Sequence, residues 1–292
     1  MIKERPVFVS DHDGTLTDAD QEANHYDEIV LSYLTTTLGI KEDELSRLLQ
    51  EAKTEIRSEP NVYGWKRNGF IVAPATADHY IFNIVSTEMV LSKLRSDTLS
   101  QPKILPKEED QGAFINQLFQ VTSSQLGKVG NFYREGAKEY IKKLSAAGNF
   151  AIVTNSSPEI VATKLETLLG DSAADLQLVG NAKKYDVDPK WIGVVPEGKV
   201  DFPGFPDRGV YLQRKTYYDS LLNLAEGDLD RITVCGDIPE LDTLMVDYLG
   251  CRTALVEGKT TSPWEKAYYN NGNLRRFANS DLGPITEWMI KK

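Results

Sequence analysis

Short apolar runs that end in polar residues alternate with helical patterns in two separate parts of the chain. One run covers Val7 to Val9, and similar runs begin at Phe150 and Ile232. Continuous apolar runs of this length are typical of strands that a parallel sheet buries on both faces. Residues 137–144 repeat apolar positions at helical spacing before Gly148. The pattern therefore predicts a helix that ends at Gly148 and is followed by the strand beginning at Phe150.

Residues 19–131 show helical patterns only. Four groups of apolar residues recur at spacings of three and four, which indicates four amphipathic helices. The groups contain Tyr26, Val30, Tyr33 and Leu34; Leu45, Leu48, Leu49, Ala52 and Ile56; Tyr80, Ile81, Ile84 and Val85; and Ile115, Leu118 and Phe119. A polar, aromatic segment at 61–69 is interpreted as a loop between the second and third helices.

These patterns predict an α/β fold with a doubly wound, mostly parallel sheet that is interrupted after its first strand. Residues 1–18 and 132–292 are predicted to form this Rossmann-like core, and residues 19–131 an inserted all-helical cap domain. Ser157 and Pro158 are placed as the N-cap and first residue of a helix. Residues 251–256 predict one more strand, the tail predicts a helical closure of the sheet, and the Pro- and Gly-rich stretch 171–213 is not assigned.

The composition limits the classes of partner. The chain has 292 residues, a formal net charge of −10 and a pI of about 5.0, which disfavours nucleic acid as a ligand. No run of about 18 apolar residues exists, so no membrane association is expected. The two cysteines, Cys235 and Cys251, lie in or beside apolar runs and predict no disulfide. A cytoplasmic, unexported protein is expected, and its oligomeric state cannot be inferred.

Polar groups follow three of the predicted strands at the point where each strand ends. Asp11 and Asp13 follow the first, Thr154 and Asn155 the second, and Asp237 the third. Because the carboxyl ends of parallel strands meet at one edge of a sheet, these groups are expected to form one site. Residues i and i+2 of an extended chain share a face, so two carboxylates there indicate a divalent cation between them. Asp242 adds a further carboxylate shortly after the third strand.

In these residues the sequence resembles the haloacid dehalogenase superfamily of aspartate-nucleophile phosphatases. The segment from Asp11 to Thr17 is similar to the first motif of that family, Thr154 to the second, and the segment from Gly236 to Asp242 to the acidic fourth. The third motif is a single basic residue and is too short to recognise alone. The motifs span most of the chain, from Asp11 to Asp242. The resemblance also implies that the inserted domain is a cap that closes over the core site and selects the substrate.

The resemblance also implies roles for the site residues. Asp11 is expected to attack phosphorus, and Asp13 to act as general acid and then general base. Asp11, Asp237 and the backbone carbonyl of Asp13 are expected to hold Mg²⁺. Thr154 and the backbone N–H of Asn155 are expected to bind the phosphoryl oxygens.

Two further positions belong to this interpretation. Asp242 is expected to orient either the metal shell or the lysine of the third motif. His12 is the middle residue of the Asp11–Asp13 segment, so its side chain is expected on the opposite face, in a structural role.

The lysine of the third motif has four candidates, namely Lys183, Lys184, Arg214 and Lys215. We predict Lys215, because it precedes a helix that leads directly into the strand ending at Asp237. A residue at that helix start lies on the same edge of the sheet as the strand ends. Lys215 is therefore expected both in catalysis and in substrate binding, while Lys183 and Lys184 remain alternatives.

The predicted function is a Mg²⁺-dependent phosphomonoester hydrolase that acts on a small phosphorylated metabolite through an aspartyl-phosphate intermediate. A phosphomutase of the β-phosphoglucomutase type is an alternative, because it uses the same pair of aspartates. A non-catalytic binding or regulatory protein that retains the fold is the second alternative. The sequence does not identify the substrate or the cap residues that select it.

Overall fold

The structure is a computed structural model, and it describes residues 5–96, 105–203 and 209–291. The chain divides into two compact units. One contains residues 1–19, 66–73 and 132–292, and the other contains residues 20–65 and 74–131. The predicted cap range of 19–131 therefore includes nine residues, 19 and 66–73, that group with the other unit. No helix among the described residues combines the length and the apolar character that a membrane span requires.

The strands of the described residues are β1 (Val7–Ser10), β2 (Gly64–Arg67), β3 (Phe70–Pro74), β4 (Asn149–Val153), β5 (Gln177–Val179), β6 (Lys199–Val200), β7 (Val210–Tyr211), β8 (Ile232–Gly236), β9 (Arg252–Val256) and β10 (Arg276–Asn279). The α-helices are α1 (Ala19–Leu38), α2 (Glu42–Ser58), α3 (His79–Ser96), α4 (Gln111–Val129), α5 (Ala137–Ala147), α6 (Pro158–Leu169), α7 (Lys215–Leu224), α8 (Pro239–Asp242), α9 (Leu244–Tyr248), α10 (Pro263–Tyr269) and α11 (Leu282–Ile290).

Within the described residues, six strands form one sheet in the order β10-β9-β8-β1-β4-β5, and every pair of neighbours is parallel. This confirms the doubly wound α/β fold. The central strand β1 lies between β4 and β8, so the three predicted motif strands are neighbours. Ser10 is in register with Ile152 on one side and with Cys235 on the other. The polar groups that follow these strands therefore reach the same edge.

Helices cover both faces of the sheet, as the uninterrupted apolar strands predict. Val7 and Val9 of β1 pack in a cluster with residues of α7, α9 and α10. Phe8 points to the other face and packs with residues of α5, α6 and α11. The period of two along β1 thus divides the core into two apolar layers. The predicted start of α6 is also confirmed, because the Ser157 side chain accepts a hydrogen bond from Ile160 N and Pro158 is the first helical residue.

The second unit is built from α1 to α4. Its apolar core joins residues of all four helices, and the Thr122 hydroxyl of α4 donates to the Tyr26 hydroxyl of α1 at 2.9 Å. A buried lysine, Lys53 of α2, donates to Asp27 of α1 at 2.7 Å. All four predicted helices are present in the structure.

Three segments differ from the predictions. Residues 64–74 form a two-stranded hairpin rather than a loop, so the insertion is not wholly helical. Asn68 and Gly69 connect its strands with φ values of 49° and 84°, as a type I′ turn requires. The unassigned stretch 171–213 supplies the edge strand β5 and the short pair β6 and β7. The tail contributes β10 to the other edge in addition to two helices.

Candidate active site

Three neighbouring strands deliver the candidate residues to the carboxyl edge of the sheet. The Asp11 N–H donates to Cys235 O of β8 at 2.9 Å, which fixes the first residue after β1 against the neighbouring strand. The Thr154 N–H donates to Val179 O of β5 in the same way. Asp237 directly follows β8. The structure therefore brings Asp11, Thr154 and Asp237 to one edge, as predicted from the ends of the apolar runs.

Three carboxylates form an acidic cluster at this edge. One carboxylate oxygen from each of Asp11, Asp237 and Asp242 lies within 4.8 Å of the other two. The Thr15 hydroxyl bridges two of them, at 3.5 Å from Asp11 Oδ2 and 3.3 Å from Asp237 Oδ1. Burial raises the pKa of Asp11 to about 7, and it raises the pKa of Asp237 well above its usual range, with the neighbouring carboxylates adding to both effects. The ionised cluster therefore needs cations beside it.

Two glycines allow the carboxylates to approach the backbone. Gly14 has a φ of +80°, which disfavours any side chain, and a Cβ there would overlap the carboxylate of Asp237. A Cβ on Gly236 would overlap the side chain of Asp242. Both glycines are thus required by the close approach of a motif aspartate.

Lys184 is the cation in direct contact with the cluster. Its Nζ donates to Asp11 Oδ1 at 2.5 Å and to Asp242 Oδ1 at 2.7 Å, and its side chain is 1% exposed. Burial alone lowers the pKa of this lysine, but the carboxylates of Asp11 and Asp242 outweigh that effect and raise it above its usual range. Lys184 is therefore held in its charged form between the two aspartates.

The path of the chain after β5 explains how Lys184 reaches the site. β5 pairs in parallel with β4, so the residues that follow it also lie at the carboxyl edge. The Ala182 N–H donates to Thr154 O at 2.9 Å, and the Asn155 side-chain oxygen accepts from the Lys184 N–H at 2.8 Å. The loop carrying Lys184 is thus fastened to the loop after β4.

The prediction that Lys215 is the site lysine is wrong, because its side chain does not contact the acidic cluster. Lys215 begins α7, but its Nζ contacts Asp219 at 2.5 Å, and both side chains are about half exposed. The reason is that a helix start near the edge does not by itself direct a side chain into the site, whereas Lys184 follows a strand of the same sheet. Lys183, next to Lys184, is exposed.

Arg214, the remaining basic candidate, is buried but is directed elsewhere. Its guanidinium donates to Val72 O at 3.0 Å and to Tyr211 O at 3.2 Å. It therefore fastens the hairpin residues to the strand pair that precedes α7.

Asp242 and Tyr217 together hold the Lys184 side chain in position. Its second oxygen, Oδ2, accepts from the Ile238 N–H at 3.0 Å, so both carboxylate oxygens have a donor. The buried Tyr217 hydroxyl donates to Asp242 O at 2.9 Å, and its ring lies 5.6 Å from Lys184 Nζ. Of the two expectations for Asp242, orientation of the lysine is the one that these contacts favour. Tyr217 was not identified from the sequence.

The side chain of Asp13 is outside the acidic cluster, contrary to the expectation that Asp11 and Asp13 share a face. β1 ends at Ser10, so the alternation of an extended strand does not extend to Asp13. Its carboxylate instead contacts four donors. His12 Nδ1 lies at 2.9 Å and Lys164 Nζ at 3.7 Å from Oδ1; Ser156 Oγ lies at 2.6 Å and Thr154 Oγ1 at 3.3 Å from Oδ2.

These donors favour the ionised form of Asp13. Burial raises the pKa of Asp13, but the contacts with His12, Lys164 and Ser156 outweigh burial and lower it below its usual range. The same geometry corrects the expectation for His12, because the turn places its ring beside Asp13 rather than on the opposite face. Thr154 contacts Asp13, while a role of Thr154 and the Asn155 N–H in binding phosphoryl oxygens stays a prediction.

Arg134, which no sequence pattern indicated, also supports the loop after β1. Its Nε and Nη2 both donate to Gly14 O, at 3.1 and 2.9 Å, and its own N–H donates to Leu16 O. Residues 16–18 and 132–134 thus pair where the chain leaves and rejoins the first unit. Arg134 fixes the glycine that lies against Asp237.

The oxygen atoms of the acidic cluster are suitable ligands for a divalent cation. Among the described residues, Lys184 is the ammonium in contact with these three carboxylates, so the cluster carries two net negative charges when all three are ionised. Lys184 contacts Asp11 through Oδ1, while Oδ2 lies 3.5 Å from the Thr15 hydroxyl, which also contacts Asp237. Carboxylate and hydroxyl oxygens are hard ligands, which are the ligands that a hard divalent cation takes.

No protein-family model and no curated protein sequence matches this chain. Solved structures do match it over nearly its whole length. A hydrolase from Bacillus subtilis, YfnB, solved with bound magnesium, has a TM-score of 0.54 and 11% identity, and the match covers 98% of this chain and 99% of that one. The chain has the fold of the haloacid dehalogenase-like hydrolases.

Two other structures agree. A protein described as a predicted phosphoglycolate phosphatase from Haemophilus somnus has a TM-score of 0.55 at 13% identity, covering 98% of this chain and 99% of that one. A haloacid dehalogenase-like hydrolase from Bacteroides fragilis has a TM-score of 0.51 at 13% identity, covering 97% and 100%. At these identities the likeness concerns the fold, and it confirms the fold that the motif resemblance implied.

Proposed function

We propose that this protein is a phosphomonoester hydrolase that acts through an aspartyl-phosphate intermediate on Asp11. The observation that carries the proposal is the position of Asp11, with Lys184 on one carboxylate oxygen, the Thr15 hydroxyl near the other, and Asp237 in the same acidic cluster. An aspartate held in this way has a fixed orientation and contacts a cation, the Lys184 ammonium. Those are the two requirements for attack by one anion on another.

In the first step, an oxygen of the Asp11 carboxylate forms a bond to phosphorus while the bond from phosphorus to the leaving oxygen breaks. The leaving oxygen takes the electron pair of that bond and a proton from the carboxyl group of Asp13. Because the donors around Asp13 favour its ionised form, Asp13 must first take up that proton from solvent, to which its side chain is partly exposed. In the second step, the oxygen of a water attacks phosphorus, Asp13 accepts the proton of that water, and Asp11 is released with inorganic phosphate. Lys184 holds the nucleophile and offsets the negative charge throughout.

The position of Asp13 favours phosphate esters over halides as substrates. An alkoxide is a poor leaving group unless it is protonated, whereas a halide leaves without a proton. The carboxylate of Asp13 lies beside Thr154 and Ser156 at the same edge as Asp11, with its side chain 37% exposed. A partly exposed acid–base group next to the nucleophile suits a leaving group that needs a proton.

The acidic cluster supports a requirement for Mg²⁺. Asp11 and Asp237 are the carboxylates that would hold the ion, with the backbone carbonyl of Asp13 added from the motif resemblance. When bound, Mg²⁺ supplies positive charge to the oxygens of the transferred phosphoryl group. Residues of the chain hold the carboxylates in place, because Lys184 bridges Asp11 and Asp242 and Arg134 fixes Gly14, which lies against Asp237. The substrate is proposed to be a small phosphorylated metabolite, selected by the helical insertion.

Removal of divalent cations is expected to abolish activity. The full-length protein is tested for release of inorganic phosphate from a panel of phosphomonoesters, with Mg²⁺ and after exhaustive treatment with EDTA. We expect steady release with Mg²⁺, loss of at least about 10²-fold after chelation, and recovery when Mg²⁺ is restored, since the ionised cluster needs the cation.

Steady release also separates a hydrolase from a phosphomutase, which transfers the group and releases little phosphate. Full activity after chelation would remove the metal from the proposal. Absence of phosphate release from the whole panel would contradict the proposed hydrolase.

A further inference from the structure

His12 is a polar side chain in a buried position. It is 0% exposed, and the ring of Tyr133 packs edge-on against it with the ring centroids 6.0 Å apart. Among the residues that the structure describes, none forms a hydrogen bond with its Nε2. A buried nitrogen without a partner costs about 1–3 kcal/mol, so an apolar side chain of similar size would suit this position better. Packing therefore does not account for the histidine.

The polar contact that His12 makes is directed at Asp13. Its Nδ1 lies 2.9 Å from Asp13 Oδ1, and because the ionised carboxylate can only accept, Nδ1 carries the hydrogen. Ser156 Oγ donates to the other oxygen, Oδ2, at 2.6 Å. Donors on both oxygens fix the rotation of the carboxylate about its Cβ–Cγ bond.

Asp13 does not need this hydrogen bond for the stability of the fold. Its side chain is 37% exposed, so water can replace a donor that is removed. The contact thus has a cost at His12 that offsets what the hydrogen bond contributes to stability at Asp13. Its physical effect is to fix the direction of a carboxylate beside the nucleophile.

We propose that His12 is a positioning residue, whose Nδ1–H, together with the Ser156 hydroxyl, holds the Asp13 carboxyl group in line for proton transfer with the leaving oxygen and the attacking water. The proposal rests on the proposed function, because it concerns the acid–base group of that reaction. Proton transfer needs a heavy-atom separation of about 2.6–3.2 Å, so a carboxyl group that rotates freely is a poorer acid.

The test compares two variants of the full-length protein with Mg²⁺ present. His12→Leu removes the donor but keeps an apolar side chain of similar volume, and His12→Asn keeps a donor near the position of Nδ1. Each is assayed on p-nitrophenyl phosphate, whose leaving group departs without a proton, and on phenyl phosphate, whose leaving group benefits from one.

His12→Leu is expected to lower kcat for phenyl phosphate by about 10²-fold, and by at least about tenfold more than for p-nitrophenyl phosphate, with KM changed less than about threefold. His12→Asn is expected to recover most of this loss. A merely structural role would instead lower both rates equally, and that result would overturn the proposal, as would failure of His12→Asn to recover activity.

A second measurement does not depend on activity. The Tm of His12→Leu is expected to stay close to that of the wild type, because removal of a buried nitrogen without a partner offsets the loss of the hydrogen bond that lowers the pKa of Asp13. A clear fall in Tm would show that His12 stabilises the fold, and it would overturn the proposal. Asp11→Asn, assayed on the same two esters, separates this result from the proposed function, which fails if that variant still releases phosphate.

Discussion

Replacement of Asp11 by Asn is expected to reduce phosphate release by about 10⁴-fold or more, because an amide cannot serve as the nucleophile. The Asn side-chain oxygen can still accept the hydrogen bond that Lys184 donates to Asp11 at 2.5 Å, and Lys184 keeps its contact with Asp242. The fold is therefore expected to survive. Initial rates of phosphate release with Mg²⁺ and the best ester of the panel provide the measurement, and the Tm monitors folding.

Asp219→Asn is the matched control for this prediction. Asp219 is an exposed aspartate that also contacts a lysine, Lys215, at 2.5 Å, but it lies on α7 away from the cluster. Its rate is expected to stay within about twofold of the wild type, since exposed ion pairs contribute little. A rate for Asp11→Asn close to that of the wild type would show that Asp11 is not the nucleophile.

Replacement of Lys184 by Ala is expected to lower kcat by about 10²–10³-fold, while Lys215→Ala stays within about twofold of the wild type. Lys184 is buried and bridges Asp11 and Asp242, whereas Lys215 is about half exposed. Loss of Lys184 also leaves buried carboxylates without their ammonium, so we expect a stability loss of about 3–5 kcal/mol. Steady-state kinetics and denaturant unfolding measure the two effects.

Lys184→Met separates loss of the charge from loss of the apolar stem. It keeps the apolar stem beside Tyr217 and removes only the charge, so it is expected to lose kcat as Lys184→Ala does. A large loss of kcat in Lys215→Ala, with Lys184→Ala and Lys184→Met near normal, would restore the original assignment of Lys215 and contradict the geometry.

The positions of the motif aspartates could be predicted because they depend on strong local patterns. β1, β4 and β8 are strands of four or five mostly apolar residues, and a parallel sheet brings their carboxyl ends together. Asp11, Thr154 and Asp237 then follow from the order of residues alone. The helical insertion could be predicted for the same reason, since four amphipathic patterns occur there without a buried strand.

Lys184 could not be predicted, because the strand that delivers it has almost no signal. β5 has three residues, Gln177–Val179, and none of them is fully buried. Without that strand, the sequence did not indicate at which edge of the sheet the following segment lies. Lys215, by contrast, preceded a clear helical pattern. The hydrogen bond from the Lys184 N–H to Asn155 is a contact between distant parts of the chain, which no local pattern shows.

The surroundings of Asp13 were missed for a different reason. Spacing of i and i+2 predicts a shared face only while the chain stays extended, and the strand ends at Ser10. The turn at Gly14 then places the His12 ring beside the Asp13 carboxylate. Arg134, which follows the insertion in the sequence, fixes that turn through its hydrogen bond to Gly14 O. The hairpin at 64–74 did have a local signal, Asn68-Gly69, but the polar and aromatic composition around it favoured a loop.

Chemical trapping of the intermediate tests the central claim most directly. The wild-type protein is mixed with Mg²⁺ and the best ester of the panel, quenched within one turnover and treated with borohydride, which reduces an acyl phosphate to an alcohol. Mass spectrometry of the digested protein then locates the reduced residue. The account predicts conversion of Asp11 to homoserine that depends on substrate, with Asp13, Asp237 and Asp242 unchanged. Phosphate release without reduction of Asp11, or with reduction of another aspartate, would contradict it.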